Sequence, residues 1–410
     1  MRGTAQLLAV MLLAVACGGA GGPTKANLGE IKVGALFPLS GSVASSGSDA
    51  LHGAELAADI LNGQYSSIDL PRLSVGKIKL VSGDTQGDAQ IGASEVDRLV
   101  NNEKIVGLLG CFQSAVTVTA SVRAERLGIP MVNGSSSSTA LTERGLQWFW
   151  RTGPSDLTFA QTYFDWFKTV AAQHPVKKVV IVNENDQFGN DGAKVLTQLS
   201  GQNGITVVEN IVYPFNATDV TSAVQKMRGD SADAVFVFAF INDLVLLLKT
   251  MATLNYTPPV LLGFGAGFVD PKFVSTLGTK TDYAITRAAW SLEVGEKNAT
   301  AKAVADAFKK KYGQNMTENS AREFEAMMTL GLAIESAGST NPAKLQDAIK
   351  KTDIKKTIMP WKGIKFDAKG QNQYASGVIQ QMKDGQYHVL FPTASASAQV
   401  VWPIPSLSSR

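Results

Sequence analysis

The sequence predicts an α/β protein built as two doubly wound lobes, and three observations predict it. From Ile31 onward, short apolar runs alternate with amphipathic segments of helical period. That alternation halts at Trp148-Phe149-Trp150-Arg151-Thr152-Gly153-Pro154 and then begins again. The chain has 410 residues, 45% of them hydrophobic and 18% charged, which is enough for two globular domains with real cores. Strands that alternate with helices of about 10–15 residues indicate βαβ units and a parallel sheet. Two successive series of such units indicate two lobes.

The first series opens with a strand at Ile31–Phe37, stopped by Pro38. The Ala50–Asn62 segment is an amphipathic helix, with Leu51, Ala54, Ala58 and Leu61 on one face and His52, Glu55, Asp59 and Asn62 on the other. A strand at Lys77–Val81, a helix at Gln90–Asn101, a strand at Ile105–Gly110, a helix at Ala115–Leu127 and a short buried strand at Ile129–Val132 follow. After the pause come helices at Phe159–Ala172, Gly192–Gln202, Val220–Arg228 and Asp243–Leu254. They are interleaved with strands at Lys178–Asn183, Thr206–Tyr213, Ala234–Phe240 and Val260–Gly263. Three further helices are expected at Ala301–Tyr312, Ser320–Ser336 and Pro342–Lys350. Late strands are expected at Trp361–Phe366, Gly377–Met382 and Tyr387–Phe391. Residues 394–410 are rich in Ser, Ala and Pro and read as a loosely ordered tail.

The amino-terminal residues have their own pattern. Arg2 precedes an apolar run, Leu7–Val15, and then the small residue Ala16 and Cys17. A basic start, a short apolar stretch and a small-residue cut site make a secretory leader. The run is too short for a mature span, which needs about 20 apolar residues. Ala14-Val15-Ala16-Cys17 resembles the lipobox of bacterial lipoproteins, which implies that Cys17 carries acyl chains, each buried CH₂ contributing roughly 0.8 kcal/mol to membrane attachment. Residues 18–29 then form a tether. No later run reaches the length of a membrane span; Val235–Leu248 comes nearest and is broken by Asn242 and Asp243.

Several function classes are excluded. Thirty-eight basic against 35 acidic residues give a net charge of +3, without the basic field that nucleic acid demands. His52, His174 and His388 lie far apart with no ligand spacing, so no metal site is expected. With Cys17 lipidated, Cys111 is the one thiol left, a buried structural cysteine with no histidine near it in sequence. Neither a Gly-x-Ser-x-Gly elbow nor a phosphate-binding Gly-x-x-x-x-Gly-Lys-Ser/Thr loop is present. Gly263-x-Gly265-x-Gly267 lacks dinucleotide spacing and reads as a turn. The chain is therefore expected to bind rather than to catalyse, with no cofactor.

In open α/β sheets ligands bind at the carboxyl ends of strands. Three such loops stand out: Phe37-Pro38-Leu39-Ser40-Gly41-Ser42, Cys111-Phe112-Gln113-Ser114 and Asn133-Gly134-Ser135-Ser136-Ser137-Ser138-Thr139. Hydroxyls and backbone N–H groups poised before a helix suit a carboxylate or another small anion.

In this order, the motifs resemble periplasmic binding proteins of the branched-chain amino acid type, in the type I periplasmic-binding superfamily. The matching stretches are Ile31-Lys-Val-Gly-Ala-Leu-Phe-Pro-Leu-Ser-Gly, Gly53-Ala-Glu-Leu-Ala, Gly83-Asp-Thr-Gln-Gly-Asp-Ala, Gly128-Ile-Pro-Met-Val, Leu141-Thr-Glu-Arg-Gly, Phe149-Trp-Arg-Thr and Phe188-Gly. The resemblance implies two lobes joined by three crossovers near Arg151, Arg287 and Gln373, with the ligand in the cleft between them. Lobe 1 would comprise 30–151 and 288–372, and lobe 2 would comprise 152–287 and 373–393. It implies that Ser114 meets the ligand carboxylate, that Ser135, Ser136 and Ser137 hold the ligand's carboxylate and amine through backbone and hydroxyl groups, and that Phe188, Phe240 (or Ile241) and Phe324 form walls, with Phe264 nearby. The resembling amino acid binders place an acid beside the ligand ammonium; the matching position here is about Gly265, which has no carboxylate, with Glu323 and Asp243 as substitutes. If Phe324 faces the ligand, Glu323 points about 100° away on the same helix. The expected function is therefore capture of a small carboxylate-bearing ligand, an amino acid or an apolar or aromatic acid without an obligatory amine. The expected partners are ABC permease subunits and the membrane through the lipid anchor, and the protein is expected to be a monomer outside the cytoplasm. A ligand-sensing receptor of the same fold and a binder of amides or urea are the alternatives.

Overall fold

The computed structural model describes residues 27–410, so the leader and Cys17 lie outside the described residues. In chain order the first elements are β1 (Glu30–Phe37), α1 (Ala44–Leu61), β2 (Lys77–Asp84), α2 (Ala89–Asn101), β3 (Gly107–Gly110), α3 (Ser114–Leu127), β4 (Met131–Asn133) and β5 (Phe149–Arg151). Then come α4 (Asp156–Val170), β6 (Lys178–Glu184), α5 (Gln187–Gln202), β7 (Thr206–Tyr213), α6 (Thr221–Gly229), β8 (Ala234–Phe238), α7 (Ile241–Thr253), β9 (Leu261–Gly263), α8 (Lys272–Leu277) and β10 (Ile285–Ala288). The remainder is α9 (Leu292–Glu296), α10 (Ala299–Tyr312), α11 (Glu318–Ala337), α12 (Pro342–Lys350), the small ribbon β11 (Asp353–Ile354) and β12 (Ile364–Lys365), and the hairpin β13 (Val378–Lys383) and β14 (Gln386–Phe391).

Two sheets organise these elements. The first has strand order β2-β1-β3-β4-β5, every pair parallel. The second has order β14-β13-β10-β9-β8-β6-β7; its strands from β7 to β10 are parallel, and the β13–β14 hairpin adds an antiparallel edge. Strands β3, β4, β8 and β9 are buried along their whole length, as central parallel strands covered on both faces must be. The chain leaves the first sheet after β5, returns to the first lobe after β10, and enters the second sheet again at β13.

Several elements differ from their sequence-based bounds. Helix α1 begins at Ala44 rather than Ala50, because Ser46 and Asp49 are buried in polar contacts that the serine-rich composition conceals. Helix α5 begins at Gln187, with the Asp186 carboxylate capping the Gly189 N–H at 2.7 Å, so Phe188 stands in its first turn. The pause before Gly153 contains β5, the edge strand of the first sheet. Residues 393–410 are packed rather than loose. Trp402 stacks on Trp166 and His174, Leu407 is buried, and the Ile404 N–H donates to the Pro259 carbonyl.

Helix α11 ties the first lobe to the cleft. Its amino-terminal turn is held by Asp49 of α1, which accepts from the Thr317 hydroxyl at 2.5 Å and the Ser320 N–H at 3.1 Å. Burial raises the Asp49 carboxyl to about 6 against these bonds. The two helices touch at Gly53, where a Cβ would lie 2.0 Å from the Ser320 carbonyl oxygen. Gly53→Ala is therefore expected to push α11 from its seat and destabilise the protein by about 1–3 kcal/mol. Denaturant unfolding measures this, and a variant as stable as the parent would show that the two helices are not in contact there.

Candidate functional site

Loops from both sheets converge on one cavity between the lobes. It is lined by Phe112, Ser114, Ser135 and Ser137 from the first lobe, Phe188, Phe240, Ala266 and Arg287 from the second, and Glu318, Asn319 and Arg322 from α11. About 320 Å³ of space free of protein atoms lies among these residues, part of it open solvent.

The serine end is built by the β3–α3 and β4–β5 connections. Ser114 opens α3, whose first-turn N–H groups have no partner within the helix. Its Oγ accepts from the Ser138 N–H at 3.3 Å and keeps its own proton to donate. Ser135 donates to Glu323 Oε1 at 2.5 Å, and the Gly134 N–H reaches the same oxygen at 3.2 Å. The Ser137 carbonyl accepts from the Asp156 N–H at 2.7 Å, which sets the serine loop on the start of α4. The buried Asp156 carboxyl is raised to about 6 by desolvation, with Arg287 and Ser137 pulling it down.

Ser136 and Phe324 do not line the cavity. The Ser136 hydroxyl is turned inward: it lies 2.6 Å from Thr117 Oγ1 and donates to the carbonyls of Cys111 and Phe112 at 2.8 and 3.0 Å, so it welds the two loops together. Phe324 is fully buried in the core. The helical offset therefore runs opposite to the sequence-based expectation: Glu323 is the residue on the cradle side, behind Ser135. Asp243 is also off the lining; its Oδ2 accepts the Asn216 N–H at 2.9 Å, and it neighbours Glu184, whose Oε1 accepts the Phe240 N–H at 2.5 Å. Ile241 and Phe264 are buried outside the lining.

The aromatic wall comes from both lobes. The Phe112 and Phe240 rings face each other at 5.8 Å across the cleft, and Phe188 packs on Phe240 at 5.5 Å. Around the rim, Asp270 accepts from Ser45 and Ser46, and the Ser138 hydroxyl donates to Asp191. The lobes are thus closed on each other.

Beside the serine loop stands an ionic cluster that sequence reasoning missed. Glu318 Oε1 accepts from Arg287 Nη1 at 2.7 Å and Arg322 Nη1 at 2.9 Å, and its Oε2 accepts the Ala289 N–H at 3.1 Å. Arg322 Nε donates to the Gly134 carbonyl at 2.7 Å. The Arg287 guanidinium lies over the Phe159 ring, 3.6 Å from its centre. Desolvation lowers the affinity of Arg322 for its proton, opposed by Glu318. At Gly265 a Cβ would lie 2.4 Å from Arg287 Nη1, so the missing side chain is the room this guanidinium occupies. One signal for the cluster was present: apolar residues on every side of Ala321–Leu330 mean a helix buried all round, whose charges must find partners. Cys111 is buried, with its thiol raised by desolvation. Among the described residues no acidic, histidine or cysteine group is arranged to hold a metal.

The profile of the periplasmic binding protein family matches residues 30–386. The chain belongs to that family. This binding protein is 27% identical to Leu/Ile/Val-binding protein homolog 7 of Brucella suis over 412 residues, spanning 97% of this chain and 99% of the relative. It is 28% identical to homolog 8 of Brucella abortus over 385 residues, 92% of this chain and 94% of the relative. Among solved structures it is similar to a leucine-binding protein of Thermotoga maritima, with TM-score 0.77 at 20% identity, covering 88% and 97% of the two chains. It is also similar to a solute-binding protein of R. palustris in complex with benzoate, with TM-score 0.76 at 21% identity, covering 88% and 96%. These relatives are binding proteins, not enzymes, and their type I architecture is the one described above.

Glu323 gives the binding protein a pH dependence of known sign. Burial raises its carboxyl from 4.5 to about 7, against the bonds from Ser135 and Gly134 and the charge of Arg322. Below pH 4.5 the group is neutral both folded and unfolded. Between pH 4.5 and about 7 the unfolded chain ionises first, so this contribution to stability is lost as pH rises and stays lost above. Melting temperatures of the parent and Glu323→Gln are expected to diverge across that window, the variant gaining relative to the parent. Parallel curves would show that Glu323 ionises normally.

Proposed function

We propose that this protein is an extracytoplasmic, lipid-anchored solute receptor that captures a small carboxylate-bearing ligand with an apolar or aromatic body between its closing lobes and delivers it to the permease subunits of an ABC importer. The observation that carries this reading is the enclosed cavity itself, with serine hydroxyls and the free N–H groups of α3 at one end and Phe112, Phe188 and Phe240 beside them. A helix amino terminus with adjacent hydroxyls is suited to a carboxylate, and the rings to an uncharged body. Solved structures of the same fold hold isoleucine in one case and benzoate in another, which brackets this chemistry. Closure of two lobes over the ligand supplies a shape that a transporter can distinguish from the open form.

A thermal-shift screen over small carboxylates, amino acids, amides and urea tests the reading, because a ligand that binds the folded state raises the melting temperature with RT ln(1 + [L]/Kd). Leucine set against 4-methylpentanoate separates amino acid from plain acid, since an unpartnered buried ammonium is costly. Ser114→Ala and Ser137→Ala are each expected to weaken binding of the hit by about 1–3 kcal/mol, each leaving part of a desolvated carboxylate unpaired. Calorimetry showing full affinity in both variants would move the ligand away from these loops. For the anchor, Cys17→Ser is expected to release the protein from membranes; retention after a salt wash would rule out lipid attachment there.

A further inference from the structure

We infer that the ligand is a small dicarboxylate, one carboxylate held at the serine end and the second received by Arg287 and Arg322; this rests on the proposed carboxylate-binding function. The cavity's unmet hydrogen-bonding capacity is the basis. Three residues of the lining each keep a buried side-chain nitrogen without a partner: Arg287 Nε, Arg322 Nη2 and Asn319 Nδ2. All three residues are at most 3% exposed, so water does not satisfy them from bulk. Unpaired buried donors are costly and rare, and a cluster of them on one cavity asks for an acceptor. Two of the three belong to guanidinium groups, which make strong charge-assisted bonds to a carboxylate.

Charge points the same way. The ionisable lining residues are two arginines and one glutamate, with Asp156 behind Arg287 and Glu323 beside Arg322 offsetting part of the positive charge. Glu318 is largely spent, one oxygen on both arginines and the other on the Ala289 N–H, which takes three of its about four acceptor sites. The amino-terminal turn of α3 adds partial positive charge at the serine end. A second carboxylate on the ligand meets these unpaired donors, while the ammonium of a zwitterion brings only further donors to them. Two nearby carboxyls keep unpaired oxygens, Asp156 and Glu323; both are buried and neither lines the cavity.

Two matched pairs test the inference by calorimetry on the intact protein: benzoate against benzene-1,4-dicarboxylate, and pentanoate against pentanedioate. In at least one skeleton the diacid is expected to bind tenfold or more tighter than its monoacid. Arg287→Lys, which keeps a charge but loses the planar donor fork, is expected to cut that ratio below threefold. If this variant does not fold, the ratio in the parent protein still decides. Monoacids that bind as tightly as diacids in both skeletons would overturn the second carboxylate while leaving the carboxylate-binding function intact. Tighter binding of 4-(aminomethyl)benzoate than of either benzoate-series acid, abolished by Asp156→Asn, would also overturn it and make Asp156 the ammonium partner. No binding by any acid, together with binding of amides or urea in the thermal-shift screen, would overturn both readings.

Discussion

Everything else in the cleft is arranged around the buried contact of Arg287 and Arg322 with Glu318. Three ionised side chains, each nearly free of solvent, meet where β10 of the second lobe comes up against the first turn of α11. Removing such groups from water is expensive, and mutual attraction repays the cost only when geometry and further hydrogen bonds are good. Here the geometry is good for Glu318, whose oxygens are both occupied, and it is incomplete for the arginines, each of which keeps an unpaired nitrogen. Glu318 also stands in the first turn of a helix, where its charge is favoured by the helix dipole. The cluster therefore fixes the position of α11 relative to the second sheet and leaves a donor surplus on residues that line the ligand space.

Closure follows from the same contact. Glu318 and Arg322 belong to the first lobe and Arg287 to the second, so parting the lobes breaks the Arg287–Glu318 bond and returns its charges to water. The rim contacts are of another kind. Asp270 and Asp191, on the second lobe, are met by the hydroxyls of Ser45, Ser46 and Ser138 on the first. Hydroxyl partners exchange for water at little net cost, because the intramolecular bond is worth only about 0.5–1.5 kcal/mol beyond the one to solvent. The rim thus aligns the lobes, while the balance of burial and pairing at the arginine cluster governs how readily they close. A ligand that completes the pairing of Arg287 and Arg322 binds the closed form better than the open one, and only such a difference shifts the equilibrium.

The architecture was legible because it is written in periodicity. Central parallel strands such as Leu261–Gly263 and Ala234–Phe238 are uninterrupted apolar runs, and their alternation with helices specifies the sheet type. What escaped was polar sequence with buried roles. The first turn and a half of α1, Ala44–Asp49, has the composition of a loop, yet Ser46 and Asp49 are satisfied by Asp270, Thr317 and Ser320 from distant parts of the chain. The carboxyl-terminal segment likewise looked loose, because the partners of Trp402 and Leu407 lie far from them in sequence.

The site was legible in one half for the same reason. Serines after a buried strand and before a helix announce themselves locally, and of the four named, Ser114, Ser135 and Ser137 line the cavity. A buried arginine announces nothing locally, since its burial is a fact of tertiary structure. Gly265 illustrates the difference. In the sequence it reads as a missing carboxylate; in the fold it is the space taken by the Arg287 guanidinium, reached from a neighbouring strand. Side chains at 265 and 287 compete for one volume, so an acid at 265 and the present arginine position exclude each other on steric grounds as well as changing the charge of the wall. The polarity of this end of the cleft is thus set by the pair of positions together, and it is the pair, rather than either residue, that distinguishes a wall built to donate from one built to accept.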